Sequence, residues 1–210
     1  TNGGFSIFNG TNWTNFNGSN SKLPGDIVKA LALDKDQKVW IGTFDKGIAV
    51  YGSADPVLVL EPKAQTAEWV IYNSNNSQLI HNLITCISID NQNTKWIGTQ
   101  YGLSKFDGSN WINFNTANSG LPENNITALA IDKQGIIWIG TYTKGLVKYD
   151  GTNCTVYNNT NSGLPADYVT CITVDSKGDK WIGTFWGGIT KFDGSNWVTY
   201  NVSNSKLARN

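Results

Sequence analysis

Runs of β-branched and aromatic residues alternate along the whole chain with polar clusters rich in Asn, Asp, Ser and Gly. No window carries the 3.6-residue apolar period of an amphipathic helix, and no apolar run approaches the ~20 residues needed to span a bilayer. The alternation itself repeats. Trp-Ile-Gly-Thr begins at Trp40, Trp96, Trp138 and Trp181, at spacings of 56, 42 and 43 residues. A second marker, Asp-Gly-Ser-Asn-Trp or a variant of it, ends at Trp13, Trp69, Trp111, Cys154 and Trp197, and its spacing shifts in step. The unit is therefore 42–43 residues long, and the one long unit carries an insertion at 54–67.

Each unit predicts four short strands, A to D. Strand A is Ile126–Ile131, with copies at Val28–Leu33, Ile84–Ile89 and Val169–Val174. Strand B is Ile137–Thr141, strand C is Gly145–Tyr149 and strand D is Cys154–Tyr157. Asp-Gly and Asn-Gly between the runs supply an Asx side chain that caps a turn and a Gly that accepts positive φ. Leu-Pro pairs at Leu23, Leu121 and Leu164 lead into strand A and forbid helix there. Strands A and B are apolar on both faces, as expected of sheets stacked between two neighbours.

Tandem four-stranded units of this length predict an all-β fold, a β-propeller of four-stranded antiparallel blades. The repeated Trp of strand B (Trp40, Trp96, Trp138, Trp181) is the expected filler between sheets. Within a single domain, 1–210, the divisions are a half blade at 1–20 and blades at 21–77, 78–119, 120–162 and 163–204. Residues 1–13 match 185–197, so the first unit holds strands C and D only, and Asn204-Ser-Lys-Leu-Ala208 copies the lead-in Asn20-Ser-Lys-Leu-Pro24. The total is about four and a half blades, which predicts a segment of a larger propeller, with open blade edges able to self-associate.

Lys+Arg and Asp+Glu both number 16, so the net charge is zero. That balance lacks the basic footprint of a nucleic-acid binder or a polybasic membrane contact, and no membrane insertion is expected of this segment. Polarity comes from 26 Asn residues together with Ser, Thr and Gly, beside nine Trp, a composition typical of exported bacterial proteins. Cys86 and Cys171 occupy the same strand A position in different units, too far apart to bridge, and are expected to pack as small buried hydrophobes. No cysteine or histidine cluster suggests a metal, and no cofactor is expected.

The units resemble two-component regulator propeller repeats, carried here by Ile126-Thr-Ala-Leu-Ala-Ile-Asp132, Ile137-Trp-Ile-Gly-Thr141, Gly145-Leu-Val-Lys-Tyr-Asp-Gly151 and Asn118-Ser-Gly-Leu-Pro122. The resemblance covers the chain apart from the insertion. It implies the sensory, periplasmic, secreted or cell-surface setting of such bacterial propellers, where extracellular ligands are often glycan fragments.

In such a blade the B–C and D–A loops share one face of the ring. The B–C loops are the least uniform part of the repeat: Phe44, Asp45 and Lys46; Gln100 and Tyr101; Tyr142, Thr143 and Lys144; Phe185, Trp186 and Gly187. Variation on a repeated scaffold is where specificity is placed. Aromatic faces beside amide and Lys groups fit a glycan or peptide ligand, and the same rings fit the simpler role of covering the blade ends. Asp26, His81, Asn82, Asn124, Asn125, Asp167 and Tyr168 flank this face. Asp107, Asp150 and Asp193 recur in every Asp-Gly turn and read as turn caps. Asp34-Lys-Asp36 and Asp90-Asn-Gln-Asn93 hint at calcium oxygens without the full spaced set.

Nothing here spells a catalytic site. The only histidine, His81, leaves no His-based triad. The main expectation is a non-catalytic recognition or sensor module. A multivalent lectin, a self-assembling surface protein, and a Tyr/Lys polysaccharide lyase using Tyr101 or Tyr142 remain the alternatives.

Overall fold

The computed structural model describes residues 3–52 and 68–209, so the insertion at 54–67 lies outside the described residues. It contains a two-stranded sheet, β1 (Phe5–Phe8) and β2 (Trp13–Phe16), and four four-stranded antiparallel sheets. These are β3 (Val28–Leu33) to β6 (Glu68–Tyr72), with β4 at Val39–Thr43 and β5 at Ile48–Gly52; and β7 (Ile84–Ile89) to β10 (Trp111–Phe114), with β8 at Lys95–Thr99 and β9 at Gly102–Phe106. They continue with β11 (Ile126–Ile131), β12 (Ile137–Thr141), β13 (Leu146–Tyr149) and β14 (Cys154–Tyr157), then β15 (Val169–Val174), β16 (Lys180–Thr184), β17 (Gly188–Phe192) and β18 (Trp197–Tyr200).

Every sheet is a meander in sequence order, and the innermost strands β3, β7, β11 and β15 contact one another in succession. This is the predicted propeller architecture. In the third full blade, strand C starts at Leu146 rather than Gly145, which takes a positive φ of 85° in the turn before it. In each A–B pair the register shifts after the first residue of strand A, as between Ile126 and Ala128.

The packing rests on the strand B tryptophans. Trp40, Trp96 and Trp138 are buried, each between its own sheet and the next. Trp138 packs with Ile172 and Val174 of the following strand A and meets Phe192 edge-on at 6.0 Å. Each indole Nε1–H donates to the Asp that opens the A–B turn of its own blade: Trp40 to Asp34 (2.9 Å), Trp96 to Asp90 (3.1 Å), Trp138 to Asp132 (3.0 Å) and Trp181 to Asp175 (3.1 Å). The other carboxylate oxygen accepts two backbone N–H groups of that turn, from Gln134 and Ile136 at Asp132. One Asp thus satisfies a turn and a buried indole together, as burial requires. A Lys ammonium lies over each ring. Lys95 and Lys180 reach Trp40 and Trp138 from the following blade, at 5.0 and 4.9 Å; Lys105 and Lys191 cover Trp96 and Trp181 from their own blades. Lys95 also pairs with Asp34 at 3.4 Å in a buried contact between blades.

The glycine of Trp-Ile-Gly-Thr permits this stacking. A Cβ on Gly140 would lie 2.7 Å from Cγ1 of Val169, the first residue of the next strand A. Only a residue without a side chain lets the two sheets approach that closely. The asparagines also have a structural home at the D–A corners. Asn158 and Asn161 bond reciprocally across one corner, Asn161 Nδ2 donates to Val156 O, and Ser162 Oγ donates to Asn158 O. Matching bonds recur around Asn17, Asn73, Asn115 and Asn201.

The stack is open at both ends among the described residues, and this changes two expectations. Strand A is not covered on both faces in the first full blade: Leu31 and Leu33 of β3 are each more than half exposed. Cys171 is exposed, whereas Cys86 is half-buried, because a following blade covers one and not the other. Trp181 is likewise only half-buried.

Burial between sheets makes a prediction. Trp138→Ala should destabilise the fold by about 3–5 kcal/mol, and Trp181→Ala, open on one side, by about 1–2 kcal/mol. Denaturant unfolding of the two variants checks this; a loss of less than about 1 kcal/mol for Trp138→Ala would remove it from the core.

Candidate loop-face site

The B–C and D–A loops come together because a backbone bond ties them. Phe44 N donates to Ile27 O (2.9 Å), Tyr142 N to Asn125 O (3.1 Å) and Phe185 N to Tyr168 O (2.9 Å). The buried Thr that ends strand B closes each B–C turn from inside: Thr141 Oγ1 donates to Gly145 O at 2.8 Å and accepts from Lys144 N at 3.1 Å. The turn is held by atoms beneath it, so the outward side chains are free to vary.

Those side chains do not form one uniform surface. Tyr142, Tyr168, Phe185 and Trp186 make a continuous row across the last two blades, with ring centroids 4.7, 5.3 and 5.1 Å apart in that order. Tyr142 is 47% exposed, Phe185 50% and Trp186 75%. Trp186 also holds a φ of +66°, in the left-handed region that a bulky residue adopts at a cost. Such a contiguous exposed apolar row marks an interaction site more often than a scattered aromatic does.

The other loop residues stand apart from this row. Tyr101 stacks on His81 at 4.1 Å, with Gln100 exposed beside it. Phe44 lies under the Lys29 ammonium at 6.0 Å, and Asp45 pairs with Lys46 at 3.2 Å in solvent. Lys144 is exposed. The flanking Asp26, Asn82, Asn124 and Asp167 cap the D–A corners, each carboxylate or amide oxygen accepting a backbone N–H eight residues earlier. Two residues matter more than the sequence suggested. Tyr168 bridges the row between blades, and its position just before strand A, opposite the B–C loop, was the available signal. Glu123 accepts from Thr143 N (2.7 Å) and Thr143 Oγ1 (3.2 Å), fixing the loop that carries Tyr142.

The remaining chemistry is structural. Asp34 and Asp90 already accept their turn N–H groups and the indoles, so the calcium hint falls on occupied oxygens. No group of three or more His, Cys, Asp or Glu among the described residues is placed to hold a metal. Asp193 is held at about 2 by the backbone N–H of Asn196, with the Asn196 side chain and the Ser195 N–H adding to it. Burial pushes the Cys86 thiol up to about 12, against the opposing bonds from Thr85 and Gly98.

Two stretches of the chain, residues 22–45 and 120–143, match the two-component regulator propeller family. No curated protein matches the chain in sequence. Among solved structures, it is similar to the extracellular domain of BT3049, assigned to a hybrid two-component system of B. thetaiotaomicron, with 21% identity and a TM-score of 0.77 over 99% of this chain and 27% of that one. It is also similar to PorZ, a bacterial surface component of the type-IX secretion system of Porphyromonas gingivalis, at 21% identity and a TM-score of 0.68 over 99% of this chain and 32% of that one. Virginiamycin B lyase from Staphylococcus aureus is similar at 13% identity and a TM-score of 0.64, over 90% of this chain and 58% of that one. At these identities the likeness establishes the propeller fold, and the chain spans about a quarter to three-fifths of these proteins.

Two measurements follow from the local chemistry. A thiol reagent at pH 8 should modify exposed Cys171 and leave Cys86 unmodified in the native protein, read by mass spectrometry; equal labelling would contradict the burial of Cys86. Asp193 is depressed from about 3.9 in the unfolded chain. Its stabilising effect is therefore present at neutral pH and lost as pH falls through about 2. A carboxyl NMR titration giving Asp193 an ordinary midpoint near 4 would refute the turn cap.

Proposed function

We propose that this chain is part of a non-catalytic, extracytoplasmic recognition or sensor module of bacterial origin, binding ligand on the aromatic row of Tyr142, Tyr168, Phe185 and Trp186. The single observation carrying this reading is that row: four rings in contact across two blades, three of them exposed and Tyr168 half-buried between them. Rings offer flat apolar faces and no charge, so the ligand class they suit is neutral, a glycan or a peptide. The two-component regulator propeller match supports a sensory role, and the extracellular and surface settings named for the B. thetaiotaomicron and P. gingivalis proteins support the periplasm or cell surface.

A multivalent lectin would present equivalent sites in each blade. Here the loops differ: Phe44 with Lys29, Tyr101 with His81, and the four-ring row. That difference favours one site over several. A lyase using Tyr142 is less favoured, because the ring in contact with Tyr142 is another tyrosine, Tyr168.

Titration of the chain with neutral oligosaccharides and short peptides, followed by tryptophan fluorescence, should give one saturable site. Trp186→Ala and Tyr142→Ala should each weaken it by about tenfold, or ~1.4 kcal/mol, while leaving the melting temperature unchanged. Several equivalent sites would favour the lectin, and binding insensitive to both variants would sink the aromatic-row reading.

A further inference from the structure

The chain has one histidine, His81, and it stands at a junction on the loop face. It lies in the D–A corner that leads from β6 into β7, in the second full blade, which has described sheets on both sides. Its half-buried ring makes two contacts. It stacks on Tyr101 of the B–C loop, with centroids 4.1 Å apart and planes 30° apart. Its Nδ1 accepts a bond from Leu83 N at 3.1 Å, so the neutral ring carries its proton on Nε2. The corresponding corner residues of the other full blades are Gly25, Glu123 and Ala166, so this contact belongs to one corner alone.

The backbone around His81 is anchored on either side. Ile80 N donates to Ser104 Oγ (3.1 Å), and Ser74 N donates to Asn82 Oδ1 (2.8 Å). Gly47 N, from the B–C turn of the preceding blade, donates to Asn82 O (2.9 Å). Asn82 lies inside the ring closed by the bond from Leu83 N to His81. That bond therefore helps to set the direction of the carbonyl that Gly47 uses.

Few charges surround the imidazole. The corner, residues 73–83, holds no Asp, Glu, Lys or Arg, and Tyr101 is the one other titratable side chain in the loop from Thr99 to Gly102. Asp45 and Lys46 of the preceding turn pair with each other, and Glu123 of the following corner turns its two carboxylate oxygens to Thr143. His81 has no ion-pair partner among the described residues.

An imidazolium has two N–H donors and no acceptor. Whichever way a protonated His81 turns, it cannot keep the bond from Leu83 N, and in its present position two donors would face each other. The stack on Tyr101 survives, because a cation is attracted to the face of a phenol ring. We propose that His81 is a proton-operated latch on the loop face. When neutral, it ties the corner backbone and the B–C loop together through one ring. When protonated, it keeps Tyr101 and releases Leu83, which loosens the Asn82 carbonyl and, through Gly47, the turn of the preceding blade. One proton thus acts on the loops of two neighbouring blades. The latch needs no ligand on the aromatic row and stands whether or not that row binds one.

NMR on the full 210-residue chain between about pH 8 and pH 5 tests this. The Cε1–H shift of His81 reports its protonation. Hydrogen exchange at the Leu83 amide, expressed as a protection factor so that the intrinsic pH dependence cancels, reports the latch. Protection at Leu83 should fall by about tenfold in step with protonation of His81, and the Gly47 amide shift should move with the same midpoint. His81→Asn supplies an amide oxygen of the kind that Asn73 already offers to Asn75 N (2.9 Å), two residues on. It should hold Leu83 closed at both ends of the range. His81→Phe keeps a ring on Tyr101 without an acceptor and should leave Leu83 open at both. Unchanged protection at Leu83 while His81 titrates, or an undiminished pH response in His81→Phe, overturns the proposal. An equal loss of protection at Ile139, in the core of another blade, would mark general loosening and overturn it as well.

Discussion

The structure depends on a buried indole that answers to two sheets at once. Its ring fills the space between consecutive blades, while its N–H is tied to an aspartate of its own blade. An indole left without an acceptor there would forfeit much of what its burial contributes. The aspartate cannot move far, because its other oxygen closes the A–B turn. Turn, indole and neighbouring blade are therefore one mechanical unit, repeated down the chain. The Lys over each ring adds a cation–π contact whose source differs: Trp40 has Val50 opposite it on its own strand C and takes Lys95 from the following blade, whereas Trp96 takes Lys105 from its own strand C.

This explains how much of the molecule could be read from its residues. Strand positions were legible because the apolar runs recur beside fixed turn signals, and four copies of each signal average out local ambiguity. The strand A segments appear at the predicted residues. The Asp–Trp bond was not legible, since nothing in Asp132 and Trp138, six residues apart, says that they meet. It requires knowing that the A–B turn folds the carboxylate back toward the indole. The asparagine content was read as an export signature, yet much of it serves the D–A corners, where Asn oxygens replace backbone acceptors. Exposure of Leu31, Leu33 and Cys171 was missed for a different reason: position in the repeat predicts burial only where a neighbouring sheet lies on that side among the described residues.

The site follows a similar division. The B–C loops could be picked out because they vary on a constant scaffold. Which of them meet could not, because contact between Tyr142 and Phe185 runs through Tyr168 in the intervening corner. A rigid sheet stack suits such a site. The rings are carried on turns closed by buried threonines and inter-loop backbone bonds, so little ordering remains for a ligand to bring about.

Hydrogen exchange at the indole N–H groups, followed by NMR, tests the central claim most directly. The account predicts strong protection for Trp40, Trp96 and Trp138, weaker protection for half-covered Trp181, and immediate exchange for exposed Trp13 and Trp186. Exchange of Trp138 as fast as that of Trp186 would contradict it.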